Sequence, residues 1–226
     1  EILGGRVKTL HPKIHAGILS KRKNKSHQND LKKQNFEEID LVIVNFYPFE
    51  ETINLSKNHS KIIEKIDVGG PTMVRAAAKN YNDVTVITST NQYNELINEL
   101  DKYKGSTSLN FREKMSLEAF SETAYYDAVI SNYFNKLKKN NFPKRKIIYG
   151  NLINKLRYGE NPHQESAIYS VKNSLNIKQI YGKQLSYNNY NDIFSALTIS
   201  KSLPSNSGTV IVKHANPCGV SIQKNK

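Results

Sequence analysis

The sequence predicts an α/β fold built around a parallel sheet. Two short runs, DLVIVNF at 40–46 and DVTVITS at 83–89, are nearly unbroken and rich in β-branched residues. Such runs are typical of strands buried on both faces of a parallel sheet. The segment between them has helical patterns, so strand, helix and strand alternate along the chain, which is the order that an α/β fold requires.

Three segments are predicted to be helical. Segments 56–65 and 71–80 lie between the two strands, and the second begins with Pro71 directly after two glycines, where proline suits the first helical turn. Segment 111–139 has apolar residues at near-helical spacing, which predicts one long amphipathic helix or a helix pair.

Composition limits the class of protein. The chain has 226 residues, and 33 Lys and Arg against 20 Asp and Glu give a formal net charge of +13, which favours negatively charged partners without identifying them. The single cysteine excludes an internal disulfide framework, and no run of about 18 apolar residues could span a bilayer. These observations predict a cytoplasmic protein.

A change in amino-acid composition marks the predicted domain boundary. The run KLKKNNFPKRK at 136–146 mixes cations with Asn, Phe and Pro and contains no acid. It could be a nucleic-acid or localisation patch, but a solvated linker is the favoured interpretation because charge runs usually face water. We therefore predict one domain over 1–141 and a second over 142–226.

The stretch GGRVKTLHPKIHAG at 4–17 is dense in basic side chains and histidines and contains no acid. Its two glycines let the backbone approach a ligand closely. Arg6, Lys8 and the Thr9 hydroxyl can then converge on anionic oxygens. The stretch therefore predicts a cradle for a phosphate or a carboxylate.

A metal site is the alternative for the same stretch. His11 and His15 are four residues apart and could share one face of a helix that starts at Pro12. Zinc sites built on such a pair bring an acidic residue, and nearby cations would repel a metal ion. We therefore predict no metal site and structural roles for both histidines.

The stretch DVGGPTMVRAAAKN at 67–80 predicts a second anion site. Gly69 and Gly70 precede Pro71 and Thr72, so free backbone N–H groups at a helix start can bind an anion that the helix dipole also favours. The alternative is a helix of small residues that simply packs on a sheet.

Charged and aromatic side chains extend this prediction. Arg75 and Lys79 are four residues apart and share one helix face. Asp67 lies ahead of the predicted helix start and Lys79 near its end, about 12 Å along a straight helix, so they would address different ends of a nucleotide-sized ligand. Tyr47, in NFYPFE at 45–50, follows the first predicted strand, where ligands gather in open α/β sheets. It can donate a hydrogen bond to a ligand or simply pack under the loop.

Six motifs follow one another along the chain: GGRVKTLHPKIHAGIL, VNFYPF, DVGGPTMVRAAAKN, LRYGENPHQ, GKQLSYNNYND and VKHANPCGV. In this order they resemble those of the bifunctional purine-biosynthesis enzymes that combine AICAR transformylase and IMP cyclohydrolase activities. The resemblance covers nearly the whole chain. It implies a methylglyoxal-synthase-like domain with a parallel sheet, followed by the start of a cytidine-deaminase-like α/β transformylase domain.

For the first domain, the resemblance implies dehydration of formyl-AICAR to IMP, which closes the second purine ring. Tyr47 would hydrogen-bond near the reacting carboxamide and formyl groups, and Asp67 and Lys79 would serve proton transfer. This chemistry needs proton transfer and oxyanion stabilisation and no metal. The residues implied to bind the nucleotide are Arg6, Lys8 and Thr9, to which the helix start adds Gly69, Gly70, Thr72 and Arg75.

For the second domain, the resemblance implies transfer of a formyl group from 10-formyltetrahydrofolate to the amine of AICAR. His214 would take the proton from that amine as it attacks, and Lys213 would stabilise the transferring group. Arg157 and Tyr158 would bind the phosphate and ring of AICAR. The residues implied to shape the pocket are Asn188, Asn189 and Asp192.

The resemblance also implies that family members carry a strand and a phosphate loop before EILGG and most of the transformylase domain after VKHANPCGV. The chain is thus expected to be an internal fragment of a homodimeric protein. Its implied partners are the nucleotides AICAR, formyl-AICAR and IMP, with no nucleic acid or membrane. One alternative is a regulatory nucleotide-binding domain without chemistry, which leaves the later motifs unexplained. Another is a basic nucleic-acid-binding module, which would interleave aromatic residues with cations.

Overall fold

The computed structural model describes residues 2–172, 174–205 and 207–223, which divide into two compact units, one ending at Ile148 and one starting at Tyr149. The predicted domain boundary lies a few residues before this division and stays a prediction. The helices and strands are α1 (Pro12–Leu19), α2 (Lys25–Gln34), β1 (Leu41–Ile43), α3 (Phe49–Leu55), α4 (His59–Ile63), α5 (Gly69–Lys79), β2 (Thr85–Ile87), α6 (Tyr93–Lys102), α7 (Leu109–Leu137), β3 (Asn151–Lys155), β4 (Ala167–Ser170), α8 (Tyr187–Lys201), β5 (Gly208–Lys213) and β6 (Asn216–Ile222).

The first unit is built on a parallel strand pair, as the sequence predicts. β1 and β2 pair in parallel with Val42 opposite Val86, and α5 and α7 both pack against β2. α1 in turn packs on α5. Because every residue of β2 is buried, this strand is the centre of the hydrophobic core. The chain therefore has the predicted α/β class.

Burial of β1 on both faces is a wrong prediction. Val42 is 6% exposed, but Leu41 and Ile43 are 37% and 46% exposed. Successive side chains of a strand point to opposite faces, so one face of β1 packs on the core and the other is open in the described part of the chain. An apolar run alone cannot distinguish this arrangement from burial on both faces.

The predicted helix over 56–65 is wrong in its bounds. The backbone of Ser56 is extended and ends α3, and the Asn58 side chain accepts from the Lys61 N–H to start the short α4. The helix α3, which carries the buried Phe49, is not predicted by the sequence pattern. Side-chain hydrogen bonds by Ser and Asn compete with helix continuation, and here they divide the segment.

The segment predicted as one long helix or a helix pair forms a single helix. α7 has 29 residues, and the Ser108 side chain accepts from the Phe111 N–H to cap its start. Met115, Ala119 and Val129 are buried along it. A helix of this length runs beside both α5 and the sheet, so its side chains reach the ends of the strands.

The second unit consists of two antiparallel strand pairs and one helix. β3 pairs with β4, β5 pairs with β6, and α8 packs on both β5 and β6. A capping box starts α8, in which the Ser186 and Asn189 side chains each bond to the other's backbone N–H. Ser186 is 1% exposed, so this start is the best-buried polar point of the unit's described residues.

Candidate functional site

A cavity of about 430 Å³ lies at the carboxyl ends of β1 and β2. Its lining comes from 45–51, which form the loop after β1 and the start of α3, from 88–90 after β2, and from α7. Tyr47 lines it and is 49% exposed, with the Lys65 ammonium 5.8 Å from the centre of its ring. The carboxyl edge of a parallel sheet is the usual place for a ligand in open α/β folds.

The two glycine-containing stretches meet at the start of α5. The Thr9 hydroxyl lies so close to Gly69 that a Cβ on residue 69 would be 2.6 Å from Thr9 Oγ1. Asp67 Oδ1 accepts from the Gly70 N–H at 2.9 Å. The Thr72 hydroxyl donates to the Val68 carbonyl at 2.6 Å, inside the first turn. The structure thus brings Thr9, Asp67 and both glycines to one place, although about sixty residues separate Thr9 from the others.

Arg6 is held in an ion pair. Its guanidinium donates to both carboxylate oxygens of Glu64, in the segment just before α5. The hydrogen bond from Arg6 lowers the pKa of Glu64, and the same bond raises the pKa of Arg6. Both side chains are more than half exposed, so an anionic ligand can compete with Glu64 for Arg6.

Three further cations belong to the predicted anion sites. Lys8 lies before α1, and Arg75 and Lys79 lie in α5. Lys8 is exposed, and the Arg75 guanidinium lies 5.7 Å from the centre of the Phe120 ring of α7. α5 begins at Gly69, slightly earlier than predicted, and Lys79 is its last residue. The helix therefore rises about 15 Å between its two ends, so the structure does not bring Lys79 to Asp67.

Sequence reasoning missed the contribution of α7. Tyr126 accepts a hydrogen bond from the Asp67 backbone N–H, and Tyr125 donates to Glu50 at 2.9 Å across the cavity. Glu122 also lines the cavity; desolvation of its carboxyl raises the pKa of Glu122, and the charge of Glu50 adds to the effect. The only sequence signal was the helical spacing of apolar residues, which indicates a packed face rather than a site.

The two histidines of the first stretch have local roles. His11 Nδ1 accepts from the Lys13 N–H at the start of α1, while His15 Nε2 is buried without a hydrogen-bond partner in the described part of the chain. Within residues 2–172, 174–205 and 207–223, no group of three His, Cys, Asp or Glu side chains could hold a metal ion. Every helix in those ranges is too short or too polar to cross a membrane.

In the second unit, Arg157 and Tyr158 form one contact pair. The guanidinium lies 4.8 Å from the centre of the Tyr158 ring and donates to its hydroxyl at 3.1 Å. Hydrogen bonds from Ser186 and then Arg157, with the Arg157 charge, lower the pKa of Tyr158. The Tyr158 carbonyl accepts from the Tyr187 N–H, which attaches this loop to the start of α8.

Lys213 ends β5, and His214 begins the two-residue turn to β6. His214 and Ala215 have φ of 54° and 59°, a left-handed conformation that non-glycine residues adopt rarely. Asp192 Oδ1 accepts from the Ala215 N–H at 2.7 Å. The predicted pocket residue Asp192 therefore braces the turn that carries His214.

α8 contacts two segments that carry residues predicted to form the transformylase site, the 157–160 loop and the turn after β5. Asn188 donates to the Glu160 carbonyl at 3.1 Å, while Asn189 belongs to the capping box. Asn188 and Asp192 are four residues apart and lie on one face of α8. Along that face, the helix contacts both the 157–160 loop and the turn after β5.

Comparison with known proteins gives matches over both units. Residues 77–226 match the AICARFT/IMPCHase bienzyme family, and residues 1–72 match the MGS-like domain. The chain is 44% identical over 227 residues to the bifunctional purine biosynthesis protein PurH of Bradyrhizobium diazoefficiens, covering 98% of this chain and 43% of that protein. It is 46% identical over 233 residues to PurH of Persephonella marina, covering 98% and 44%.

The chain therefore spans less than half the length of these curated relatives. PurH of Listeria monocytogenes matches the whole of this chain at 44% identity and 45% of its own length. The crystal structure of ForH superposes with a TM-score of 0.49 at 32% identity, over 59% of this chain and 69% of that one.

Proposed function

The chain belongs to the AICARFT/IMPCHase bienzyme family, and from this premise we propose that its parent protein catalyses the last two steps of IMP synthesis. The first unit contributes to closing the purine ring of formyl-AICAR. The second unit contributes to the formyl transfer from 10-formyltetrahydrofolate to AICAR. The observation that carries the proposal is the meeting of Thr9, Asp67 and the two glycines at the start of α5.

That meeting supports a nucleotide site. Thr9 and the backbone at Gly69 lie together at the start of α5, where the helix dipole favours negative charge. The Gly70 N–H is bonded to Asp67 and the Thr72 hydroxyl to the Val68 carbonyl, so in this proposal those two groups shape the site and are not its free donors. Arg6 and Lys8 from the preceding stretch and Arg75 from α5 supply positive charge for the phosphate. In this proposal, Arg6 exchanges Glu64 for the ligand when the nucleotide binds.

Ring closure joins the carboxamide nitrogen to the formyl carbon and releases water. The carboxamide nitrogen loses one proton as the C–N bond forms, and the formamido nitrogen loses a second as the C=N bond forms. The formyl oxygen takes up both protons and leaves as water. We assign the first proton to Asp67, and the stabilisation of the developing oxyanion to Tyr47, which lines the cavity after β1. Lys79, at the other end of α5, is proposed to serve proton transfer at a part of the ligand distant from Asp67.

Formyl transfer needs a base for the AICAR amine and a positive group near the transferring formyl. We assign these roles to His214 and Lys213, which lie at the braced turn after β5. Arg157 and Tyr158 are proposed to bind the phosphate and the ring of AICAR. Asn188, Asn189 and Asp192 then hold the two loops on α8. A metal is not part of either proposed reaction.

The proposal is tested by measuring both reactions in the complete native polypeptide, with one variant aimed at each site. Lys79→Ala should abolish conversion of formyl-AICAR to IMP and leave formyl transfer intact, while His214→Ala should do the reverse. Lys102→Ala and His163→Ala are matched controls, because Lys102, like Lys79, is an exposed lysine in the last turn of its helix and His163 is an exposed histidine of the same unit as His214.

Loss of both reactions in either variant would contradict the assignment of two separate sites. A wild-type protein that binds nucleotide but converts neither substrate would favour the regulatory alternative. The cytoplasmic location, the homodimer and the boundary near residue 142 stay predictions.

A further inference from the structure

We propose that Tyr126 is a positioning residue for ring closure, which holds the backbone of Asp67 through its hydroxyl and the loop of Tyr47 through its ring. This inference rests on the proposed function, because it gives Asp67 and Tyr47 their roles in that reaction. Tyr126 belongs to α7, far in sequence from the motifs that carry the family resemblance.

The hydroxyl of Tyr126 makes two hydrogen bonds to the segment before α5. It accepts from the Asp67 N–H at 2.8 Å and donates to the Lys65 carbonyl at 3.1 Å. A phenol can donate one proton and accept at its oxygen, so this arrangement uses both capacities. Burial raises the pKa of Tyr126 above its ordinary value, so the hydroxyl keeps its proton at neutral pH.

The ring of Tyr126 is fixed by the aromatic residues after β1. Its centre lies 5.1 Å from that of Phe46 and 6.2 Å from that of Phe49, both in tilted or edge-on geometry. Tyr126 is 7% exposed and lines the cavity together with Tyr47, the residue after Phe46. Aromatic pairs of this geometry stabilise one orientation of each ring.

One side chain thus connects the two loops that carry the proposed reacting groups. Asp67 is held at two points. Its carboxylate accepts from the Gly70 N–H, and its backbone N–H donates to the Tyr126 hydroxyl, so Tyr126 holds the backbone of Asp67 in place. Without that hydroxyl, the Asp67 N–H and the Lys65 carbonyl lose their partner inside the protein. The segment then loosens, while the contact between Thr9 and Gly69 is untouched.

Tyr126→Phe in the complete native polypeptide tests the inference, because it removes the hydroxyl and keeps the ring. We expect kcat for ring closure to fall about 10-fold, with KM for formyl-AICAR within about 2-fold of wild type, since the loss is in alignment and not in nucleotide binding. Formyl transfer should not change. Hydrogen exchange should show faster exchange of the Asp67 amide in the variant.

Tyr133→Phe is the matched control. Tyr133 lies on the same helix, packs edge-on against Phe49 at 5.8 Å, and bonds through its hydroxyl to His59 instead of the Asp67 segment. It should leave kcat and the exchange of the Asp67 amide unchanged. A purely structural role for Tyr126 would lower the free energy of unfolding of Tyr126→Phe and leave its kcat for ring closure at the wild-type value.

The inference is overturned by wild-type kcat in Tyr126→Phe, by unchanged exchange of the Asp67 amide, by an equal loss of kcat in Tyr133→Phe, or by a loss confined to KM. A wild-type protein without ring closure would instead refute the proposed function and the catalytic part of the inference. The exchange measurement would still decide whether Tyr126 holds Asp67.

Discussion

Replacing Gly70 with alanine should move the Asp67 carboxylate while leaving the fold intact. A Cβ on residue 70 would lie 2.4 Å from Asp67 Oδ2 and 3.1 Å from Val44 Cγ1. Because real Cβ contacts essentially never fall under 3.0 Å, the carboxylate oxygen must move by about 0.6 Å or more. Val44 prevents the new Cβ from moving away from Asp67, so the Asp67 carboxylate makes most of the movement.

The expected loss of kcat follows from the displacement of the Asp67 carboxylate. A misplacement of about 1 Å can cost roughly 10²-fold in rate, so we expect kcat for ring closure to fall about 10- to 100-fold. Alanine in a helix is favoured over glycine by about 1 kcal/mol, and a weakened hydrogen bond from the Gly70 N–H to Asp67 costs about as much. The free energy of unfolding should therefore change by less than about 1 kcal/mol.

The assay is steady-state conversion of formyl-AICAR to IMP, with Gly69→Ala as the comparison. A Cβ on residue 69 would lie 2.6 Å from Thr9 Oγ1, so that variant disturbs the proposed nucleotide cradle and should mainly raise KM. Wild-type kcat for ring closure in a folded Gly70→Ala protein would contradict this prediction. A rise in KM alone in both variants would contradict it as well.

Three further predictions follow from charges and hydrogen bonds. Glu64→Gln frees Arg6 from its ion pair and should tighten IMP binding about 2- to 5-fold by calorimetry; weaker binding would show that Glu64 orients Arg6. Because the pKa of Glu122 is raised, the folded state holds its proton more tightly and stability falls as pH rises through the raised value. Because Glu122 is exposed to solvent, Glu122→Gln should add no more than roughly a few tenths of a kcal/mol to the free energy of unfolding at neutral pH and nothing at acidic pH, measured by urea unfolding; an equal gain at both would refute this cause. Asp192→Ala unpairs the turn at His214 and should slow formyl transfer about 10-fold without slowing ring closure; equal losses would contradict it.

The sequence alone predicted that β1 and β2 belong to a parallel sheet, that a helix follows the two glycines, and that the segment of α7 is helical, as one helix or as a pair. These features depend on the periodicity of apolar residues and on the local preferences of Pro and Gly, which act within one segment. It also predicted which stretches carry the cations and hydroxyls of the first unit. Its error at 56–65 arose where Ser56 and Asn58 divide the helix by side-chain hydrogen bonds that periodicity does not report.

Which groups face each other depends on the tertiary structure. The meeting of Thr9 with Gly69, the pairing of Arg6 with Glu64, and the hydrogen bond of Tyr126 to Asp67 join residues about sixty positions apart. No local pattern encodes such contacts, because they depend on how α5 and α7 pack against β2. The same packing leaves Lys79 at the far end of α5, since a straight helix fixes the distance between its ends whatever chemistry its residues carry.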